Sequence, residues 1–337
     1  MSIRKELEAL EHVQLDPKAA FADETRGRLH PEEPRFEDVR TAYQRDTDKI
    51  VHSKAFRRLM HKTQVFLRPE GDHYRTRMTH TLEVTRIART IAKALRLNED
   101  LAEAAAMGHD LGHTPFGHAG EVALSEAMGK PFCHNEQSLR VVDMLENGGE
   151  GLNLTYEVRM GILGHTGPYI PETMEGQIVR WADRIAYVNH DIDDAIRAGI
   201  LEDKDIPKVI QKTLGITHSG RINTLVCDMI TTSQEAGTIC LSPSVEQALQ
   251  QLREFMFERV YRNPVAKGEE SKAREMLKRL YDYYYNHPEV LPSDFQPQMS
   301  LEGMERTVCD YIAGMTDNYA VDKYTELFIP AGWQIRG

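Results

Sequence analysis

The feature that most restricts how this chain can fold is a helical repeat of apolar side chains running along most of its length. Between Met78 and Leu97, the residues Val84, Ile87, Ile91, Ala94 and Leu95 fall on one stripe, and His80 falls on it too. From Ile178 onward, Trp181, Ile185, Val188, Ile192 and Ile196 make another. Asn98 is placed to cap a helix whose first turn carries Glu99 and Asp100. That helix reads LAEAAAMGHDLGH and should break around Thr114-Pro115. Another helix is expected from His118 to near Gly129, and later ones over Ser244–Tyr261, Lys272–Asn286 and Gly303–Phe328. Strand-like alternation is rare. Thr63–Arg77 allows one small β-hairpin that turns at Pro69-Glu70-Gly71-Asp72. The expected class is all-α with that one small β-hairpin, and neither an internal repeat nor a Gly/Ser linker interrupts it.

The 337 residues are 41% hydrophobic and 28% charged, enough for a substantial core and unlike a disordered chain. The opening MSIRKELEALEH has no apolar segment of a secretory signal, and no run of about eighteen apolar residues occurs, so a cytoplasmic protein without a membrane span is expected. Cys133, Cys227, Cys240 and Cys309 lie far apart and form no CxxC pair, which suits reduced, structural thiols. A net charge of −11 argues against a general nucleic-acid binder, whose affinity comes from neutralising phosphates. The charge is uneven, however. Arg40 to Arg77 holds ten Lys/Arg against four Asp/Glu, a local net of +6. Such a segment is either a site for a small polyanion or a solvated helix face that pairs with acidic neighbours, and charge alone does not choose.

The chemistry concentrates in Gly108–Glu121, GHDLGHTPFGHAGE, where three histidines and two acids share a short stretch with glycines and a proline. At helical spacing His109 and His113 lie on one face, and Asp110 points about 100° away from His109. An ion near the end of that helix can reach both. His80, taken by itself, is more often a core histidine that has found a hydrogen bond. Asp183, Tyr187 and Asp191 recur at intervals of four, and a polar face of that kind is commonly just solvated. Together the elements say more. His80, His109, Asp110 and Asp183 are two imidazoles and two carboxylates, a mixed set for a divalent metal such as Mg, Mn, Fe, Co, Ni or Zn. Without a thiolate nearby a closed structural zinc site does not fit. Four protein ligands leave room for waters, one of which becomes a nucleophile. The GxxxxGK[ST], GxGxxG, HExxH and GxSxG motifs are all missing, so kinase, dehydrogenase, zincin and α/β-hydrolase readings lose their support.

Six longer strings carry a resemblance. They are QRDTDKIVHSKAFRRLMHKTQVF from Gln44, YRTRMTHTLEVTRIAR from Tyr74, GHDLGHTPFGHAGE from Gly108, HNEQSLRVV from His134, ADRIAYVNHDIDDA from Ala182 and DYIAGMTDNYA from Asp310. From about Arg40 to Leu327 the chain resembles the dGTPase-like family of deoxynucleoside triphosphate triphosphohydrolases, within the HD superfamily of phosphohydrolases. The organisation expected is a single unit over 1–337, with an HD metal-binding core at 52–200 and a C-terminal helical part at 201–337. The resemblance implies attack of water on the α-phosphorus of a dNTP, giving a deoxynucleoside and triphosphate. It implies His80, His109, Asp110 and Asp183 as metal ligands, and His118 with Glu121 as the catalytic pair, His118 donating to the departing 5′-oxygen. His113 and His134 resemble further donors to the phosphates. Arg77 and Arg184 resemble phosphate clamps. Gln64 resembles the sugar-edge contact, and Tyr187 and Asp191 resemble the residues that hold the sugar. Homo-oligomers, tetramers or hexamers with dNTP effectors between subunits, are also implied.

Two rival activities are weighed beside this one. An HD phosphomonoesterase or phosphodiesterase would release orthophosphate or an opened ring. A catalytically silent nucleotide sensor or single-stranded DNA binder would have lost metal or acid residues, and none is lost here. Arg259, Arg262 and Lys267 around Asn263-Pro264 offer a weak site for effector phosphates, and the run Tyr281, Tyr283, Tyr284, Tyr285 reads as helix packing or a subunit contact before base stacking. At least one of Arg57 and Arg58 is expected to sit on a solvated face.

Overall fold

Regular structure in this computed structural model is helical throughout the residues described, which are 2–32, 38–64, 75–261 and 264–330. The chain begins with α1 (Ile3–Gln14), α2 (Ala42–Val51) and the short α3 (Lys54–Arg58). Next come α4 (Arg77–Ala94), α5 (Glu99–Gly108), α6 (His118–Met128), α7 (His134–Arg140), α8 (Tyr156–Gly164) and the long α9 (Met174–Arg197). The remainder is α10 (Lys208–Leu214), α11 (His218–Ala236), α12 (Pro243–Met256), α13 (Pro264–Asn286), α14 (Gln296–Glu302), α15 (Met304–Ala313) and α16 (Asp317–Phe328). The only extended pairings among the described residues are isolated antiparallel bridges, Arg28 with Thr155 and Thr63 with Thr76. The second lies at the base of the expected hairpin, whose body and turn at residues 65–74 fall outside the described residues.

Helix α5 is the hub. Asn98 caps it as its sequence suggests, its Oδ1 accepting from the amides of Asp100 at 3.1 Å and Leu101 at 3.3 Å. Leu101, Ala102, Ala104, Ala105 and Ala106 are wholly buried, because α5 packs against α2, α4, α8 and α9 at once. Small side chains permit this. A Cβ on Gly161 of α8 would sit 2.7 Å from Ala105 Cβ, and one on Gly108 would sit 2.5 Å from Ile162 Cδ1. The C-terminal ends of α5 and α8 are thus pressed together, which places His109 beside His165. The apolar stripes of α4 and α9 close over the same region, with Val84, Ile87, Ile91, Ile178, Ile185, Val188 and Ile192 in one buried cluster. A second cluster joins α6 to α13, α15 and α16.

Two helices end earlier than their spacing predicts. The α5 helix stops at Gly108, and His109–Gly112 continue as turns. Ser138 of α7 is the reason. Its hydroxyl donates to His109 O at 2.7 Å and accepts from Gly112 N at 2.9 Å, so that carbonyl is taken, and the His113 amide bonds to Asp110 O instead. Gly112 admits this approach, since a Cβ there would meet Ser138 N at 2.1 Å. His109 and His113 therefore do not share one face of a continuous α-helix. The Gly303–Phe328 segment likewise divides into α15 and α16, because Thr316 caps a new helix by accepting from the Tyr319 amide at 3.2 Å.

The basic segment is mostly committed to ion pairs. Arg40 pairs with Asp38 and Asp48, Arg45 with Glu32 and Asp38, Lys49 with Glu32, Arg75 with Glu83, Asp193 and Asp194, and Arg77 with Asp110. Arg57 is exposed and bonds the His52 carbonyl. Tyr281 and Tyr284 are buried in the second cluster, which supports packing over base stacking. Arg262 and Asn263 lie outside the described residues. Among the described residues no helix is long and apolar enough to cross a membrane.

Candidate metal centre and active site

Three helices deliver the four expected ligands to one point in the interior. His80 stands in the first turns of α4, His109 and Asp110 follow the end of α5, and Asp183 comes from the middle of α9. His80 Nε2 lies 3.1 Å from Asp183 Oδ1, and His109 Nε2 lies 3.3 Å from Asp110 Oδ1 and 3.8 Å from Asp183 Oδ1. One ligand atom each of His80, His109 and Asp110 falls within 4.8 Å of the others. His109 Nδ1 donates to Ala106 O at 2.6 Å, which fixes the tautomer and leaves Nε2 a lone pair. That Nε2 is buried without a hydrogen-bond partner. An orphaned imidazole nitrogen facing two carboxylates, with no sulfur donor beside it, fits a divalent cation.

The electrostatics agree with ionised acids. Burial would raise the Asp110 carboxyl, but His109, His113 and Arg77 hold it well below the usual carboxylate range. Burial likewise opposes ionisation of Asp183, and the His80 hydrogen bond with the nearby His109 overcomes it. Arg77, the first residue of α4, donates from Nη1 to Asp110 Oδ2 at 3.0 Å. This buried guanidinium keeps its Nε without a partner.

The expected catalytic pair borders this centre. His118 opens α6, and its Nδ1 lies 3.3 Å from Glu121 Oε2 one turn later. The hydrogen bond to Glu121 raises the His118 pKa above the ordinary imidazole value, and the His118 side chain is 87% exposed, as a group meeting an incoming ligand must be. Glu121 also accepts from His134, from Nδ1 at 2.6 Å and from its amide at 3.1 Å. Burial opposes ionisation of Glu121, but these bonds bring its carboxyl well below the usual range. His113 Nε2 lies 3.2 Å from Asp110 Oδ1, and its ring stacks on His134 with centroids 3.9 Å apart. Burial, then the charge of Arg77, pushes the His113 pKa well down.

Of the residues expected to hold the substrate, Gln64 keeps a buried Oε1 without a partner. Arg184 is half-buried, with its guanidinium carbon 5.1 Å from the Trp181 ring centroid. Tyr187 is half-buried and Asp191 fully buried, so the polar face of α9 points into the protein and is not a solvated one. Three participants were not anticipated from sequence. His165 caps the end of α8, with Nδ1 donating to Ile162 O at 2.7 Å and Nε2 3.1 Å from His134 Nε2; burial pushes its pKa down to about 3. Its signal was present, since Gly164-His165-Thr166 repeats Gly112-His113-Thr114. His190 stands edge-on to His80 with centroids 5.9 Å apart, and burial pushes it down to about 2. Lys62 is buried and donates from Nζ to the carbonyls of His113 and Ala313.

Comparison with known proteins gives a consistent result. The HD domain model matches residues 77–188, and the phosphohydrolase-associated domain model matches residues 239–326. A deoxyguanosinetriphosphate triphosphohydrolase-like protein of Caldanaerobacter subterraneus subsp. tengcongensis is 54% identical over 333 residues, covering 99% of this chain and 98% of its own length. Relatives of the same description from Clostridium perfringens (strain SM101) and Geobacter sulfurreducens are 48% and 40% identical, covering 98% and 96% of this chain and 98% and 97% of their own lengths.

Proposed function

This chain belongs to the family of deoxyguanosinetriphosphate triphosphohydrolase-like proteins, and from that premise we propose that it hydrolyses deoxynucleoside triphosphates at the α-phosphorus. The products are a deoxynucleoside and intact triphosphate. One observation carries the reading: the candidate cation-binding set and a carboxylate-supported imidazole are joined side chain to side chain, since Glu121 holds both His118 and His134, His134 stacks on His113, and His113 lies 3.2 Å from Asp110, the partner of Arg77.

A divalent cation held by His80, His109, Asp110 and Asp183 would activate water and polarise phosphate oxygens. The remaining work falls to side chains of this chain. Arg77 offers its unpartnered Nε–H to phosphate oxygen while Nη1 stays on Asp110. As the water oxygen bonds to phosphorus, the bond to O5′ breaks, and His118 Nε2–H supplies the proton that O5′ takes. Glu121 holds Nδ1 of His118 and balances the imidazolium before transfer. Because Glu121 also holds His134, one carboxylate sets the direction of two rings. Tyr187, Asp191, Gln64 and Arg184 are proposed to hold the sugar and phosphate ends.

The test is incubation with each dNTP, singly and mixed, in Mg²⁺ or Mn²⁺, with the phosphate product identified by anion-exchange chromatography. Triphosphate with deoxynucleoside is the expected result. Orthophosphate or pyrophosphate would reassign the chain to a different phosphohydrolysis.

A further inference from the structure

The basic segment from Arg40 to Arg77 leaves two cations over. Its other described members are committed: Arg40, Arg45, Lys49, Arg75 and Arg77 to acids, Arg57 to the His52 carbonyl, and Lys62 to the carbonyls of His113 and Ala313. The side chains of Lys54 and Arg58 have neither an acid nor a carbonyl partner among the described residues. They stand four apart on α3 and so share one face of it. Both line a single cleft of about 440 Å³.

The cleft lies between α3, the end of α7 and the link from α15 to α16, and it includes none of the side chains of the proposed metal centre or of the His118–Glu121 pair. Its acids are mostly engaged. Both Glu146 oxygens accept from backbone amides, of Lys54 at 3.0 Å and Ala55 at 2.7 Å. Asp310 is held by Arg140, Arg306 and Gln137. The one acid left is Asp294, which is exposed. Against it stand Lys54, Arg58 and the buried Lys62, which lines the cleft as well. A Cβ on Gly314 would sit 3.3 Å from Arg58 Nη1, so the guanidinium rests on the α15–α16 link and not out in solvent away from it.

We propose that this cleft is a separate anion site, for a compact polyanion of two or three phosphoryl groups such as inorganic diphosphate or triphosphate. A guanidinium fork and an ammonium point charge one helical turn apart, with Cβ atoms about 6 Å from each other, suit oxygens spaced along a short phosphate chain. A third charge behind them favours a ligand whose own charge is spread along its length, which a monocarboxylate lacks. The volume lies in the range of small-ligand sites. The bound anion ties α3 to the α15–α16 link, and Ala313 and Asp317 at the ends of that link hold the loop that runs from His113 to Phe116. The inference does not rest on the proposed reaction.

Titration calorimetry of the full chain with inorganic triphosphate, in chelator so that no metal mediates the contact, tests the site. The unaltered protein is expected to bind, and its melting midpoint to rise with triphosphate concentration. Lys54→Gln combined with Arg58→Gln should weaken that binding by at least about 10-fold and remove the rise, whereas Arg77→Gln should keep both; circular dichroism confirms that each variant folds. Binding that the double variant keeps overturns the inference, and its loss in Arg77→Gln would then place the anion in the catalytic centre. Equal weakening in both variants, the mark of bulk charge, overturns it as well. So does an absence of binding to the unaltered protein at millimolar triphosphate, which makes the two cations a solvated face. None of these outcomes bears on dNTP hydrolysis, which is read separately from its products.

Discussion

The proposed metal ligands stand on or just after helices whose apolar faces form the main core, while His118 stands after a loop that packs through Phe116 into the second cluster. His80, His109 and Asp110 are fully buried, and their backbones belong to α4 or to the tight turns ending α5. His118 follows Phe116 and Gly117, with φ of +60° and +54°. Left-handed backbone is an outlier for a residue as bulky as Phe and costs on the order of 1–3 kcal/mol unless the surroundings hold it. What holds it comes from the far end of the chain. Asp317 Oδ1 accepts from the Phe116 amide at 3.0 Å, and its Oδ2 accepts from the Thr63 amide at 3.1 Å and hydroxyl at 2.7 Å. Lys62 ties His113 O to Ala313 O in the same region. Gly117 itself favours glycine, since its φ of +54° with ψ of −127° strains any side-chain-bearing residue, and a Cβ there would also press on Arg77 Nη2 at 2.9 Å. With the roles proposed above, cation binding would depend on the central helix packing and proton donation on the docking of α15 and α16.

If the two halves are separable, substitutions in them should give different signatures. The largest effect belongs to Asp110→Ala, which removes a proposed ligand and leaves the buried Arg77 guanidinium without its carboxylate. Turnover should fall by about 10³-fold or more, and retained metal should fall with it; full activity with metal lost would break the comparison at once. His118→Ala comes next, with kcat down by about 10²–10⁴-fold and retained metal unchanged. Loss of metal in that variant would mean that the halves are one unit.

A pH profile sharpens the same contrast. His118 must carry its proton to donate, and the Glu121 bond raises its pKa. The rate should therefore fall as pH rises through that raised value. Glu121→Gln removes the acceptor charge, so the falling limb should move to lower pH, toward about 6.5, with kcat reduced by about 10²-fold. A limb that stays in place would assign the proton to another group.

What sequence made visible follows the same division. The candidate ligands stand out because His109-Asp110 sits in a dense motif and because His80 and Asp183 interrupt or border strong helical stripes, and the fold brings these four side chains together. His165 was overlooked although Gly164-His165-Thr166 repeats Gly112-His113-Thr114, since a single histidine in GILGHTGPY has no partner within its own helix and meets His134 only across the α7 and α8 packing. The early end of α5 was hidden for a similar reason, being imposed by Ser138 from 29 residues beyond His109. The basic segment offered two readings because most of its partners, among them Glu32, Asp38, Asp193 and Asp194, lie outside it. Helices follow from local spacing, whereas the contacts that bend and join them depend on residues far away in the chain.

Asp317 shows this at its longest range and gives the smallest predicted effect. Its position in MTDNYA reads as an acid in the first turn of a helix, favourable there through the helix dipole. In the fold it also accepts three hydrogen bonds, one of them from the amide of Phe116, 201 residues earlier. Asp317→Asn preserves size but puts an NH₂ where one oxygen accepts, so at least one buried donor loses its acceptor at about 1–3 kcal/mol. The Phe116–Gly117 turn then relaxes and the mean position of His118 moves. We expect kcat to fall by about 10-fold, KM to change less, and retained metal to stay at the level of the unaltered protein. The alkaline limb should keep its position, because Glu121 still holds His118. A variant that lost metal in proportion to kcat would show that α16 supports the whole site, and the division between core-held ligands and a terminally anchored acid would have to be given up.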